Sequence, residues 1–177
     1  KNVVTYANAL TSYQTGEQRS RGVEFETKMA VTDSINVTGA FTYTKAEVTK
    51  SLAVDAGQRP IGIPDYTASL WADYTFRSGL MQGLTVGGGG RYVGETVGGY
   101  SPNVYSGSAV RLDAPGYTVF DSAIGYDFGK RFGNLNGLST RVSVNNLFDK
   151  SYVTCLSSNF CNYGNERVVN VSVNYRW

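Results

Sequence analysis

The stretch "RVVNVSVNYRW", Arg167–Trp177, closes the chain. Val169, Val171, Val173, Tyr175 and Trp177 alternate there with Asn170, Ser172, Asn174 and Arg176. An i, i+2 repeat puts the two sets on opposite faces of a β-strand. A helix would need i, i+3, i+4 recurrence, which the run lacks. One face therefore requires an apolar medium, and the other requires water or polar partners.

The same alternation recurs upstream. Val23, Phe25, Met29 and Val31 oppose Glu24, Glu26 and Lys28; Ile35, Val37, Phe41 and Tyr43 oppose Asn36, Thr38, Thr42 and Thr44. Tyr66, Ala68, Leu70, Ala72, Tyr74 and Phe76 oppose Thr67, Ser69, Trp71, Asp73, Thr75 and Arg77. Further strands are expected over "LTVGGGGRYVG", "YTVFDSAIGYDFG" and "STRVSVNN". With the closing run this makes seven full strands, preceded by a weaker one at "KNVVTYA". Short connections at Val31–Ser34, Arg77–Gly83 and Lys130–Gly137 alternate with long ones at about Asn8 to Arg19, Ala46 to Asp65, Glu95 to Gly116 and Lys150 to Asn165. Tight turns at one end of an antiparallel meander and long loops at the other are the pattern of an outer-membrane barrel.

Composition agrees. Among 177 residues there are 21 glycines, 13 tyrosines and no histidine, and the net charge is +2. Without imidazole, zinc hydrolysis and Ser-His-Asp catalysis lose their usual groups, and no catalytic or metal site is expected. No basic stripe points to nucleic acid. The mean hydropathy of −0.24 does not exclude a membrane, because a barrel hides its apolar residues at every second position. Ten aromatics of the apolar faces, among them Tyr43, Tyr66, Tyr74, Tyr175 and Trp177, fall near strand ends, the level of a membrane–water interface. A soluble β-sandwich also alternates, but its loops would not segregate by length nor its polar face carry so many charges.

The polar faces hold Glu24, Glu26, Lys28, Trp71, Asp73, Arg77, Arg91, Asp121, Asp127, Arg141 and Arg176. Such charges suit a wide, hydrated or plugged barrel; pairing between neighbouring strands is the simpler reading of any one of them. "GGGG" at Gly87–Gly90 lacks the Lys-Ser/Thr sequel of a phosphate loop and lies within a strand, where glycine marks a bend or the close approach of another segment. The opening "KNVVTYANAL" does not read as a signal peptide, so a mature chain or a piece of a longer one is expected.

Three stretches resemble TonB-dependent siderophore receptors. "TGEQRSRGVEFE" (Thr15–Glu26) is similar to the opening of a late barrel strand, "VNNLFDKSYV" (Val144–Val153) to the penultimate strand, and "RVVNVSVNYRW" to the last, whose terminal aromatics, here Tyr175 and Trp177, are read by the barrel assembly machinery. "CLSSNFCNYG" is most similar to the ferrichrome-type, hydroxamate receptors. The resemblance implies an all-β antiparallel transmembrane barrel, with residues 1–177 forming about strands 15 to 22 of a 22-stranded barrel and the N-terminal plug domain absent from this chain. It implies TonB-dependent uptake of a ferric siderophore in the bacterial outer membrane, with TonB acting through the plug. The surroundings would be outer-membrane lipid and lipopolysaccharide. Iron would arrive as the siderophore complex, with no cofactor bound by the protein's own side chains and no enzymatic activity. The alternative is a complete eight-stranded barrel serving as an adhesin or structural protein.

On that template Cys155 and Cys161 lie on the oxidising extracellular side, so a disulfide is expected, contributing roughly 2–3 kcal/mol by restricting the open loop. The clip would present Leu156, Phe160 and Tyr163 to a ligand. Leu156 departs from the family pattern, which places an aromatic after the first cysteine. Tyr100 and Tyr105, in the tyrosine- and serine-rich loop "YSPNVYSGS", are further candidates for ligand contact.

Overall fold

The computed structural model describes residues 3–8, 11–51, 55–102, 109–157 and 160–177. Among these residues twelve strands are formed: β1 (Val3–Asn8), β2 (Thr11–Ala30), β3 (Ile35–Lys50), β4 (Tyr66–Thr75), β5 (Leu84–Val93), β6 (Thr96–Pro102), β7 (Ala109–Ala114), β8 (Tyr117–Asp127), β9 (Leu138–Asn145), β10 (Val153–Ser157), β11 (Phe160–Tyr163) and β12 (Val168–Tyr175). Eight of them form one antiparallel sheet in the order β1-β2-β3-β4-β5-β8-β9-β12. β6–β7 and β10–β11 are separate hairpins at its long-loop end. Among the described residues β1 and β12 are the sheet's edges and do not pair with each other, so the sheet is open and the small closed barrel is not formed.

The register confirms the two faces. Phe25 lies opposite Phe41, Phe41 opposite Ala68, Leu70 opposite Gly90, Val86 opposite Ile124, and Val142 opposite both Ile124 and Val171. This apolar face is bare: Phe25, Leu70 and Val171 expose 61%, 61% and 70% of their surface. Among the described residues no second sheet covers it, which removes the sandwich. Two aromatic tiers border the apolar band. Tyr43 stacks on Tyr66 at 5.0 Å on the long-loop side, and Tyr74–Phe76 and Tyr126–Phe128 meet edge-on at 4.8 Å beside the tight turns.

The tight turns are locally specified. Thr32 Oγ1 accepts hydrogen bonds from the amides of Ser34 and Ile35. Asp127 accepts from the amide of Gly129 and opens a single 3-10 turn. Gly137 has φ +86°, a left-handed conformation that costs other residues about 1–2 kcal/mol.

The long connections differ from expectation. Where a long loop from Asn8 to Arg19 is expected, β2 already begins at Thr11, and Val3 pairs with Gly16 and Asn8 with Thr11. β3 likewise continues through Lys50. At about 3.3 Å per residue the 20-residue β2 is some 65 Å long, far more than a membrane needs. Beyond the lipid the outward face meets water, so the strands continue without the apolar outward series that would announce them. Arg77 and Arg176 also lie just past strand ends and not on the polar face proper.

On that face Arg91–Asp121 is the one ion pair within the sheet among the described residues; Glu24, Glu26, Lys28 and Arg141 have none. Asp73 accepts a hydrogen bond from Asn36 Nδ2 at 3.0 Å. Two glycines of the run, Gly87 and Gly89, are explained by Trp71, which lies opposite Gly89 and whose indole covers both. A Cβ at Gly87 would stand 2.7 Å from Trp71 Cζ2 and 3.1 Å from Asp73 Cβ. The close approach thus comes from the neighbouring strand. Trp71, Asp73, Gly87 and Arg141 border a shallow recess of about 120 Å³ on the wall.

Gly87→Ala is expected to destabilise the barrel by about 1–3 kcal/mol through overpacking. Trp71→Ala in the same chain should cancel most of that loss, read as the temperature at which the folded band disappears in unheated gel electrophoresis.

Candidate functional site

Among the described residues the buried hydrophobic side chains gather at the long-loop end. Ala46, Val48, Val97, Ala114, Val119 and Cys155 are each under 9% exposed, and Val97 is fully enclosed. They mark where three connections pack into one cap above the sheet.

Its footing is the turn that follows β9. Asn146 is 3% exposed and has φ +54°, a conformation asparagine tolerates better than most residues. Its side-chain oxygen accepts from the amide of Lys150, and Nδ2 donates to the carbonyls of Lys150 and Asn165 at 2.9 and 3.0 Å. Its own amide donates to Asp121 Oδ1, and Arg91 clamps that carboxylate through Nε and Nη2 at 2.6 and 3.0 Å. Asp149, φ +53°, accepts from the amide of Arg167 and so ties the start of the loop to its return. Tyr152 then stacks on Tyr117 of β8, centroids 4.0 Å apart.

Above this footing the disulfide Cys155–Cys161 joins β10 to β11, whose cysteines face each other in register. Cys155 is wedged between backbones. A Cβ on Gly98 of β6 would lie 3.1 Å from its sulfur, and one on Gly62 2.7 Å from its carbonyl oxygen. The β3–β4 connection joins the same body: Ile61 bridges Val97, and Gly62 donates to the Val97 carbonyl at 2.9 Å. Arg59 pairs with Asp65 at 3.1 Å and reaches the carbonyls of Ile63 and Glu95. Arg111 holds Asp113 and Glu95, and the hydrogen-bonded Asp113 carboxylate raises its pKa further.

The proposed contact residues fall into two groups. Leu156, Phe160 and Tyr163 stand out from the clipped hairpin, 79%, 68% and 81% exposed. Tyr100 is half-buried, and its hydroxyl donates to the Arg59 carbonyl at 2.7 Å; burial raises its pKa, so the phenol keeps that proton. Tyr105 lies outside the described residues. The residues that build the cap, Arg59, Gly62, Val97, Gly98 and Asn146, were not singled out from the sequence. Asn146 alone carried a signal, as an asparagine at a strand end inside a turn-like "NNLFD". Among the described residues no group of histidine, cysteine, aspartate or glutamate could hold a metal ion.

Residues 1–147 match the family described as TonB dependent receptor-like, beta-barrel, and the chain belongs to that family of outer-membrane, non-enzymatic transport proteins. The chain is 42% identical over 167 residues to the ferrichrome outer membrane transporter/phage receptor of Escherichia coli K12, covering 94% of this chain and 21% of that protein. It is 38% identical over 176 residues to the ferrioxamine B receptor of Salmonella typhimurium, covering 98% and 24%. In fold it is similar to the pyoverdine receptor FpvA of Pseudomonas aeruginosa, with TM-score 0.71, 24% identity, and coverage of 93% of this chain and 22% of that one. The chain thus spans between a fifth and a quarter of the length of these relatives.

Asn146→Ala should cost about 2–4 kcal/mol, from its lost hydrogen bonds and an unfavourable φ. Asn146→Gly should recover about 1 kcal/mol by relieving the φ alone. Thermal unfolding compares the two. Replacing both cysteines by serine should speed hydrogen exchange at the β10–β11 amides and leave the sheet's melting temperature unchanged.

Proposed function

We propose that the chain is the C-terminal wall and loop cap of a larger plugged barrel that takes up a ferric hydroxamate siderophore, using energy delivered by TonB to the plug. The observation carrying this reading is the clipped β10–β11 hairpin, seated on two neighbouring loops, which displays Leu156, Phe160 and Tyr163. It occurs in a chain 42% and 38% identical to receptors named for ferrichrome and ferrioxamine B, both hydroxamate siderophores.

The chemistry fits such a ligand. A ferric hydroxamate is compact and largely neutral at its chelated core, so exposed aliphatic and aromatic side chains can contact it without a charged clamp. The disulfide reduces the entropy lost when the hairpin orders against the ligand. Iron remains inside the siderophore and needs no protein ligands. The free edges of β1 and β12 would pair with the rest of the barrel, since an unpaired edge is costly in lipid. Tyr175 and Trp177, at the end of the last strand, would serve the barrel assembly machinery as its recognition signal.

In the full-length receptor, Leu156, Phe160 and Tyr163 all changed to alanine should weaken ferric siderophore binding on the order of tenfold or more, the scale of hot-spot truncation. Equilibrium binding of radioactive iron–ferrichrome and iron–ferrioxamine B to iron-starved cells measures this. Unchanged binding of both would remove the hairpin from the site.

A further inference from the structure

Below the clipped hairpin the inner wall carries hydrogen-bond donors that the sheet itself does not use. In β5 the inward residues are the odd-numbered ones, and Arg91 lies near the long-loop end of that series, across the ladder from Ser69 on one side and Val119 on the other. In β8 the inward residue Asp121 is followed, toward the long-loop end, by Val119 and Tyr117. Tyr152, the residue before β10, stacks on Tyr117 with centroids 4.0 Å apart. Its ring lies against Gly164, where a Cβ would collide with it, and the Gly164 amide donates to the Tyr152 carbonyl at 2.8 Å. The two phenols are thereby fixed from both wall and loop. The Arg91 guanidinium is close enough to interact electrostatically with each of them.

The charges of this group cancel. The Asp121 carboxylate is 13% exposed and accepts from Arg91 Nε, Arg91 Nη2 and the Asn146 amide. Those bonds leave Arg91 Nη1 free, on a side chain 51% exposed on the inward face. Both tyrosines are half-buried, and among the described residues neither phenol hydroxyl has a hydrogen-bond partner. Fixed donors without net charge suit a neutral acceptor. An anion would gain little, because Asp121 already stands behind the arginine.

We propose that Arg91, Tyr117 and Tyr152 form a second ligand contact, which takes a carbonyl oxygen from the organic frame of a ferric hydroxamate. The inference rests on the siderophore reading above and gives it a polar half. Leu156, Phe160 and Tyr163, at the tip of the same connection, meet the apolar surface of the chelate. The phenols and the guanidinium, at its root, meet acceptor oxygens. Iron occupies the hydroxamate oxygens, so the acceptors left for the protein are the amide carbonyls that link one hydroxamate to the next. Donors held in place before the ligand arrives lose little freedom on binding it.

The test uses the full-length receptor purified in a mild detergent. Filter binding of radioactive iron measures the affinity for ferrichrome, for ferrioxamine B, and for synthetic iron trihydroxamates of the same chelate geometry whose linkers lack amides. Tyr117 and Tyr152 changed together to phenylalanine keep the stacked rings and lose only the hydroxyls. This variant should bind whichever amide-bearing chelate the wild type takes about fivefold more weakly, the scale of one net hydrogen bond, and should bind the amide-free chelate as the wild type does. Arg91→Lys keeps a cation beside Asp121 but loses the free Nη1, and should show the same selective loss. Equal weakening of both kinds of chelate, or of neither, in the tyrosine variant overturns the proposal, and so does a wild type that binds the two kinds equally well. A wild-type receptor that binds none of these chelates overturns the siderophore reading itself, and this contact with it.

Discussion

In hydrocarbon a backbone amide has no water to fall back on, so every strand that crosses must be hydrogen-bonded on both sides. This requirement organises the molecule. It explains why β2, β3, β4, β5, β8, β9 and β12 join in one unbroken antiparallel ladder, while β6–β7 and β10–β11, which stand in water, can leave it. It also explains the missing core. Phe25, Leu70 and Val171 need no partner side chains, because lipid surrounds them. What stabilises the sheet is its ladder and its two aromatic tiers, not burial.

How much of this was readable from sequence follows from the same constraint. Alternation arises only where one face meets lipid and the other does not. Within that band every strand could be located from its side chains, and Val142, Ile124 and Val171 fell into register as the pattern required. Outside it the lipid-facing pattern ends although the strands continue. β2 between Thr11 and Arg19 is held by main-chain pairing, which no residue type advertises, and in β3 the alternation reverses, with Ala46 and Val48 buried beneath the cap and Lys45, Glu47 and Thr49 exposed.

The cap was legible only through its cysteines. Their pairing needs nothing more than proximity in an oxidising compartment, and proximity in sequence is enough for that. The contacts that seat the hairpin are of another kind. Gly62 and Gly98 matter because a neighbouring backbone or sulfur leaves no room for a Cβ, and Val97 because two other loops close over it. These relations join residues some 35 to 95 positions apart, and they carry no periodicity. The Trp71 indole over Gly87 and Gly89 is similar: the glycine run was visible, but not which neighbour it admits.

The two halves of the structure therefore respond differently to sequence change. On the lipid face any apolar residue of similar size fulfils the requirement, since lipid adapts its shape to the wall. In the cap a few specific contacts hold three loops together, and Asn146, φ +54° with its hydrogen bonds inside the turn, permits few substitutes. The exposed tip at Leu156 and Phe160 lies outside both constraints. It projects from the disulfide-clipped hairpin, so in the function proposed above it would vary with the ligand while the cap beneath stays the same. On that proposal, specificity would change at the tip without refolding the wall.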